Sequence, residues 1–375
     1  EVTIVKNVKI YFLLIFLIII LIYITNITSF PEKIILFDGE KINFNTVAFL
    51  NLEMQEKISD EAVQTSGTIQ NEEVNTGKIC LNLFGKIPVK EVSVSVIPKT
   101  KVVPVGSNIG LKLYTNGVLV VGMTEIESQK PYEKSGIEEG DMIVQVNENE
   151  ITCTADLIQV VNNSGGENIN LRYIRDGILH ETSILPVETD DNEYKIGLWV
   201  RDAAAGVGTL TYYEPSTKGF AALGHGILDV DTGELVSIAN GEVVTTDIIS
   251  IQKGEPGIPG EIKGSIANQS KIGDIYKNTY LGIYGTLDNP AVLNINNSEA
   301  IDVALRDEIQ TGKAYIICSL ENNVREKYEI EIERVYKNNN ENNKSMVIKV
   351  TDQDLIEKTG GIIQRNEWFT YNSKW

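Results

Sequence analysis

The run Pro131-Tyr-Glu-Lys-Ser-Gly-Ile-Glu-Glu-Gly-Asp-Met-Ile-Val-Gln-Val-Asn147 predicts a short helix, a glycine turn and a buried strand, in that order. Its flanks continue in the same compact style. Upstream, Gly106-Ser-Asn-Ile-Gly-Leu-Lys-Leu113 puts a turn before a strand, and Gly117-Val-Leu-Val-Val-Gly122 is a second strand. Downstream, Ala155 to Asn162 has helical spacing of apolar residues and Ile169-Asn-Leu-Arg-Tyr-Ile-Arg175 closes the set with another strand.

This succession resembles a PDZ domain over residues 99–187. Ser135 to Ile143 matches the small-residue, Gly-Ile, Glu-Gly-Asp-x-Ile signature of its bacterial form. PDZ domains add an extended peptide to an exposed sheet edge and receive the terminal carboxylate on the backbone N–H groups of a glycine loop. The resemblance puts that loop at Ile109, Gly110 and Leu111 and implies a peptide ligand. The alternative is a PDZ fold that serves only to hold the next domain.

Toward the amino end, Ile10 to Ile24 carries no charge, and mild residues continue to Phe30. With its flanks, such a run reaches the roughly 20 residues a membrane-crossing helix needs. Lys6 and Lys9 precede it and no Lys or Arg follows until Lys33, so the positive-inside rule leaves residues 1–9 as a cytoplasmic stub. Residues 10–29 then read as a transmembrane helix, with the bulk of this single-pass chain extracytoplasmic. A cleaved signal peptide is the competing reading. Residues 30–98 read as spacer and stalk, polar from Gln55 to Lys78, with one half-buried strand at Val89-Lys-Glu-Val-Ser-Val-Ser-Val-Ile97.

Composition removes several functions. The 375-residue chain carries a formal net charge of -19, which argues against a surface that tracks phosphates, so nucleic acid is not an expected partner. Cys80, Cys153 and Cys318 stand far apart, so neither a zinc knuckle nor a disulfide framework is written here. They read as small buried hydrophobes, and no metal or cofactor is expected. Histidine chemistry must choose between His180 and His225. His180 sits at a strand end and reads as structural.

Residues 187–193 form a polar, acidic hinge, and 194–375 are rich in short strands and Gly and Asn turns, which predicts a β-barrel or sandwich. Within them, Ala221-Ala-Leu-Gly-His-Gly-Ile-Leu-Asp-Val-Asp-Thr-Gly233 sets His225 between two glycines. Such flanks allow a tight turn and leave the imidazole accessible, as a general base must be.

Arg201, Gly206-Val-Gly208, Gly219-Phe-Ala-Ala-Leu-Gly-His-Gly-Ile227, Asp229-x-Asp-Thr-Gly233 and Gly254-Glu-Pro-Gly-Ile-Pro-Gly-Glu261 together resemble the SpoIVB peptidase family of spore-forming bacteria. That family joins a membrane anchor, a PDZ domain and a trypsin-like β-barrel serine-peptidase domain, so the resemblance covers nearly the whole of a mostly β chain. It implies that His225 is the catalytic base and that Asp352, with Asp354 as neighbouring alternative, is the acid that orients it. The family's nucleophile lies in a Gly-Met-Ser-Gly-Ser-Pro segment. Here the lead-in runs intact from Ile348 to Gln364, and the chain then reads Arg365-Asn-Glu-Trp-Phe-Thr-Tyr-Asn-Ser-Lys-Trp375. Written in permitted codons and read from the second base, this tail becomes Gly-Met-Ser-Gly-Ser-Pro-Ile-Ile-Gln-Asn-Gly. A one-base frameshift after Gln364 accounts for it, and the missing serine falls at the position of Glu367. The expected peptidase domain is therefore incomplete at its C terminus and inactive.

The resemblance implies an endopeptidase of endospore formation, working between the forespore and mother-cell membranes. It would cut a protein regulator of an intramembrane protease and so trigger late sigma-factor processing. A non-catalytic, membrane-anchored PDZ adaptor with a degenerate peptidase domain is the second reading. A secreted β-rich coat protein is the third, and it explains neither the Gly-His-Gly block nor the PDZ signature.

Overall fold

The structure is a computed structural model that describes residues 2–29, 32–38, 50–54, 75–83, 86–255, 257–258, 260–266, 270–320, 324–336, 345–361, 363–364 and 369–371. The chain divides into two compact units, the first comprising residues 1–100, 302–310 and 335–346, the second the remainder.

In the first unit, helix α1 covers Val2–Ser29 and its apolar side chains from Leu13 to Ile22 are exposed. Among the described residues no helix is long and apolar enough to cross a membrane, so the helix is present and the expected span is not shown. Four strands follow: β1 (Lys33–Phe37), β2 (Leu50–Met54), β3 (Asn75–Leu83) and β4 (Ile87–Ile97). They form one sheet in the order β1-β4-β3-β2, where a spacer was expected. The alternation in β4 is the cause. It buries Val92, opposite Ile79 of β3, and Val94 and leaves Ser93 exposed, while Leu81 of β3 packs with Val89. Most of the polar stretch that suggested a stalk, residues 55–74, and the Asn-rich segment 337–344 lie outside the described residues.

The second unit contains β5 (Lys101–Met123), β6 (Met142–Val146), β7 (Asn149–Glu150), α2 (Thr154–Asn163), β8 (Ile169–Arg175), β9 (Ile178–Ile184), β10 (Val187–Glu188), β11 (Tyr194–Lys195) and β12 (Leu198–Glu214). It continues with β13 (Gly219–Ala222), β14 (Ile238–Val244), β15 (Asp247–Gln252), β16 (Gly260–Ser265), β17 (Lys271–Thr279), β18 (Gly282–Leu287) and β19 (Ile301–Asp302). The last elements are β20 (Gly312–Ser319), β21 (Arg325–Val335), β22 (Met346–Val350), α3 (Gln353–Thr359), β23 (Ile363–Gln364) and β24 (Phe369–Tyr371).

Two cores organise this unit, and the long strands β5 and β12 serve both. Antiparallel pairings run from β12 to β13, β18, β17, β14 and β5, and from β5 back to β12, so the hydrogen bonding closes on itself. The interior of this ring is filled by Ile109, Leu111, Leu113, Leu210, Phe220, Val243, Ile275, Ile283 and Leu287. Each such side chain contributes about 1.5–3 kcal/mol through burial. The second core gathers Val118 and Val120 of β5 with Ile143, Leu157, Val161, Ile169 and Leu171, under the sheet that β5 makes with β6, β8 and β9.

The stretch from Pro131 to Asn147 explains itself in this second half. Residues 131–135 form turns rather than the short helix expected, closed by Ser135 Oγ donating to the Tyr132 carbonyl at 2.7 Å. Asp141, buried, accepts the Glu138 N–H at 2.8 Å, and Arg175 grips both its oxygens at 2.7 Å. The Glu-Gly-Asp turn thus ends in a bidentate ion pair that ties it to β8. At the other end of the unit, β24 pairs with β20 and β23 pairs with β16.

Candidate active site

His225 lies on the loop that leaves the ring strand β13, and the backbone there is strained before it is flexible. Leu223 is buried yet left-handed at φ 71°, a conformation that costs a residue with a Cβ on the order of 1–3 kcal/mol. Its N–H donates to the Thr209 carbonyl of β12 at 3.1 Å, and its neighbour Gly224 is also left-handed, at φ 73°. Gly226 is needed for a different reason: a Cβ there would stand 2.7 Å from the Thr279 carbonyl oxygen of β17. The two glycines read from the sequence as flanks for an accessible imidazole are therefore turn and contact residues, and His225 between them is exposed.

Nδ1 of His225 sits 2.9 Å from the Gly226 carbonyl oxygen. A carbonyl can only accept, so in this bond Nδ1 is the donor. Two further anchors hold the loop after the histidine. Asn278 of β17 accepts the Ile227 N–H at 3.0 Å and donates to the carbonyls of Ile227 and Val236, both at 2.9 Å. Arg201 of β12 reaches Asp229 at 2.5 Å and Asp231 at 2.7 Å. Burial would raise the Asp229 carboxyl, but N–H donors from Thr232 and Asp231 and the Arg201 guanidinium outweigh it and hold the group below its ordinary value. Sequence reading missed Asn278, which lies far along the chain and belongs to no motif.

Asp352 is placed elsewhere. It caps α3, with Oδ1 accepting the Leu355 N–H at 3.2 Å and Oδ2 accepting the Glu329 N–H at 3.3 Å. Among the described residues no hydrogen bond or ion pair is seen between it and His225, and Asp354 pairs with Lys358 at 2.8 Å on the same helix. Glu367, where the serine was expected, lies outside the described residues.

Ile109, Gly110 and Leu111 require a correction. They are not a loop but the interior of β5, with Ile109 and Leu111 inside the ring core and Gly110 paired to Val207 on one side and Val244 on the other. Strands cover both edges there, so this segment cannot receive a peptide carboxylate. His180 stacks on Tyr173 at 5.3 Å between ring centroids. Cys80 and Cys318 are buried, and burial pushes the Cys318 thiol up to about 12, whereas Cys153 is only half-buried at the start of α2. A cavity of about 520 Å³ lined by Pro104, Asn294, Glu299 and Arg325 contains none of the candidate residues. Its guanidinium is already bonded to Pro104, Asn294 and Glu299. Among the described residues no cluster of three His, Cys, Asp or Glu could hold a metal ion.

Comparison with known proteins gives two family matches. Residues 192–366 match the family described as SpoIVB peptidase S55, and residues 94–185 match the PDZ domain. No curated protein matches the chain. Among solved structures, the PDZ domain of the SdrC-like protein from Listeria monocytogenes is similar at 16% identity, covering 23% of this chain and 87% of that one. Its TM-score is 0.20.

Proposed function

We propose that this chain, which belongs to the SpoIVB peptidase S55 family through residues 192–366, is built as a membrane-anchored serine endopeptidase of endospore formation. The ring of six strands is the trypsin-like β-barrel of that enzyme, and His225 is its base. The observation that carries the reading is the His225 loop, strained at Leu223 and clamped by Asn278 and Arg201. Helix α1 anchors the protein, and the rest works in the space between the forespore and mother-cell membranes. There it cuts a protein regulator and so lets an intramembrane protease release a late sigma factor.

In the sequence as it stands, residues 365–371 carry no Ser-Gly pair where the family's nucleophile is expected, and an acyl-enzyme needs that serine. A frameshift after Gln364 is the cause, and Asp352 turns from its helix toward His225 only when the nucleophile segment is in place.

The test is to express the chain as written and the same chain with Gly-Met-Ser-Gly-Ser-Pro restored from position 365. The restored protein should cleave a casein substrate and lose that activity to a serine-directed fluorophosphonate, while the chain as written does neither. Turnover by the chain as written, blocked by the same reagent, would overturn the inactivity. A second reading, a non-catalytic PDZ adaptor, is favoured by one observation: Asp352 is committed to capping α3. An inactive restored protein would select it.

A further inference from the structure

The end of α1 is packed onto the sheet that follows it. In its last turns Tyr23 and Ile27 are half-buried, while Leu21, Ile22, Ile24 and Thr28 are exposed. Positions 23 and 27 share one helix face. That face joins Leu83 of β3 and Val89 of β4 in covering the buried Leu81. Lys90, opposite Leu81 in the ladder, donates from Nζ to the Ile27 carbonyl at 3.4 Å, at the end of the helix where a cation is favoured.

Two contacts fix the direction of the sheet. Lys90 lies beside Ile27, and Lys33, just beyond the end of α1 at Ser29, is in register with Ser93 of β4, to which β1 pairs in parallel. The chain leaving α1 and the chain of β4 therefore run the same way. Residues that precede Lys90 in β4 lie back alongside the helix. Ile87 precedes it by roughly 10 Å at about 3.3 Å per residue. That distance spans about seven residues of helix at about 1.5 Å each, which sets Ile87 level with the uncharged run Ile10 to Ile24.

The hairpin end that reaches back has the chemistry of a bilayer surface. Lys86, Ile87 and Pro88 are all exposed, Ile87 by 54%. Residues 78–99 hold four lysines against one glutamate, a net +3, in a chain whose net charge is -19. The glutamate, Glu91, is held by Lys78 at 3.7 Å. An exposed isoleucine suits the boundary between headgroups and acyl chains, and a lysine beside it suits anionic phosphate.

We propose that the β3–β4 hairpin is a second membrane contact, in which Ile87 enters the headgroup–acyl boundary of the bilayer that α1 crosses and Lys86 pairs with anionic lipid headgroups. The sheet β1–β4 then rests on the membrane as a footing, where a stalk was expected. The inference rests on reading α1 as the anchor.

The test uses the full chain carrying Cys153→Ser, reconstituted into vesicles of phosphatidylcholine and phosphatidylglycerol. An environment-sensitive nitrobenzoxadiazole label is attached at Ile87→Cys or, separately, at Leu17→Cys, and the chain without either cysteine is the blank. Both labels should shift to the blue and be quenched by doxyl-labelled lipid, deeply placed doxyl acting at 17 and shallow doxyl at 87. Lys86→Gln, or vesicles of phosphatidylcholine alone, should lower the ratio of inserted to exposed label at 87 about fivefold and leave 17 unchanged. Quenching at 17 but not at 87 overturns the second contact and leaves the anchor standing. A label at 87 that shifts to the blue without lipid quenching is covered by protein and overturns it as well. Quenching at neither position overturns both readings. Quenching at 87 that ignores Lys86→Gln and lipid charge overturns the pairing with anionic headgroups.

Discussion

The two ends of β12 do different work. At its start, residues 198–202 belong to the sheet over the Val118 core, and Asp202 is bonded to the first turn of α2. Farther along, residues 204–213 close the ring, and Thr209 holds the left-handed Leu223 that launches the His225 loop. Arg201 stands at the joint and pairs with Asp229 of that loop. The first half draws its fastenings from residues 131–202, and each is in place. The second half holds His225 on a clamped loop, while Asp352, the acid of the proposed triad, caps a helix. A site assembled from neighbouring segments withstands a change in a distant tail. A site that needs the tail does not.

The comparison breaks most visibly at His225. In the chain with Gly-Met-Ser-Gly-Ser-Pro restored from position 365, His225→Ala should lower kcat on the order of 10⁴-fold or more, because base and nucleophile act as a unit. Any peptide affinity of the first half should not change. Loss of both would mean that the halves are one site.

Next in size is a test of which half owns residues 109–111. Leu111→Ala empties a fully enclosed position in the ring and should cost about 2–5 kcal/mol in urea unfolding, with any peptide affinity retained in the folded protein. A stable variant that no longer binds peptide would return the carboxylate loop to β5.

That test also shows what the sequence could and could not display. Strand alternation at Val89–Ile97 and the turn around His225 are local, and both are legible residue by residue. The two Ile-Gly-Leu copies, at 109–111 and 196–198, are identical as local patterns, and only tertiary pairing separates them. Gly110 is flanked on both edges by strands, whereas Gly197 is left-handed just before β12. Likewise nothing near His225 in sequence announces Asn278, whose three bonds hold the loop from another strand of the ring.

At the joint, Asp229→Asn should cost about 1–2 kcal/mol, less than a fully enclosed ion pair because the Arg201 side chain is 36% exposed. The folded carboxyl lies below its ordinary value of 3.8, so its stabilisation is complete above that pH and is lost as pH falls through the folded value. The gap between the native protein and Asp229→Asn should be flat from neutral pH down to about 5 and shrink below about 4. A gap that instead grew on acidification would assign the stabilisation to another group. A variant that also weakens peptide binding would show that the joint passes strain from one half to the other.

The smallest effect is expected at His180, and it sharpens the comparison by its smallness. The ring stacks on its cross-strand partner Tyr173, a member of the Val118 core, with an interplanar angle of 19°. Stacked aromatic pairs contribute about 0.5–1.5 kcal/mol beyond the area they bury, and a pair whose imidazole is only half-buried belongs at the low end. His180→Ala should therefore lower stability by about 0.5 kcal/mol and leave the proteolytic activity of the restored protein unchanged. Because the chain has only these two histidines, the titration of the remaining imidazole in the variant's proton spectrum is His225 without overlap. If the proteolytic profile shifted with His180 gone, the imidazole on the module would be acting in the ring, and the separation of the two ends of β12 would have to be given up.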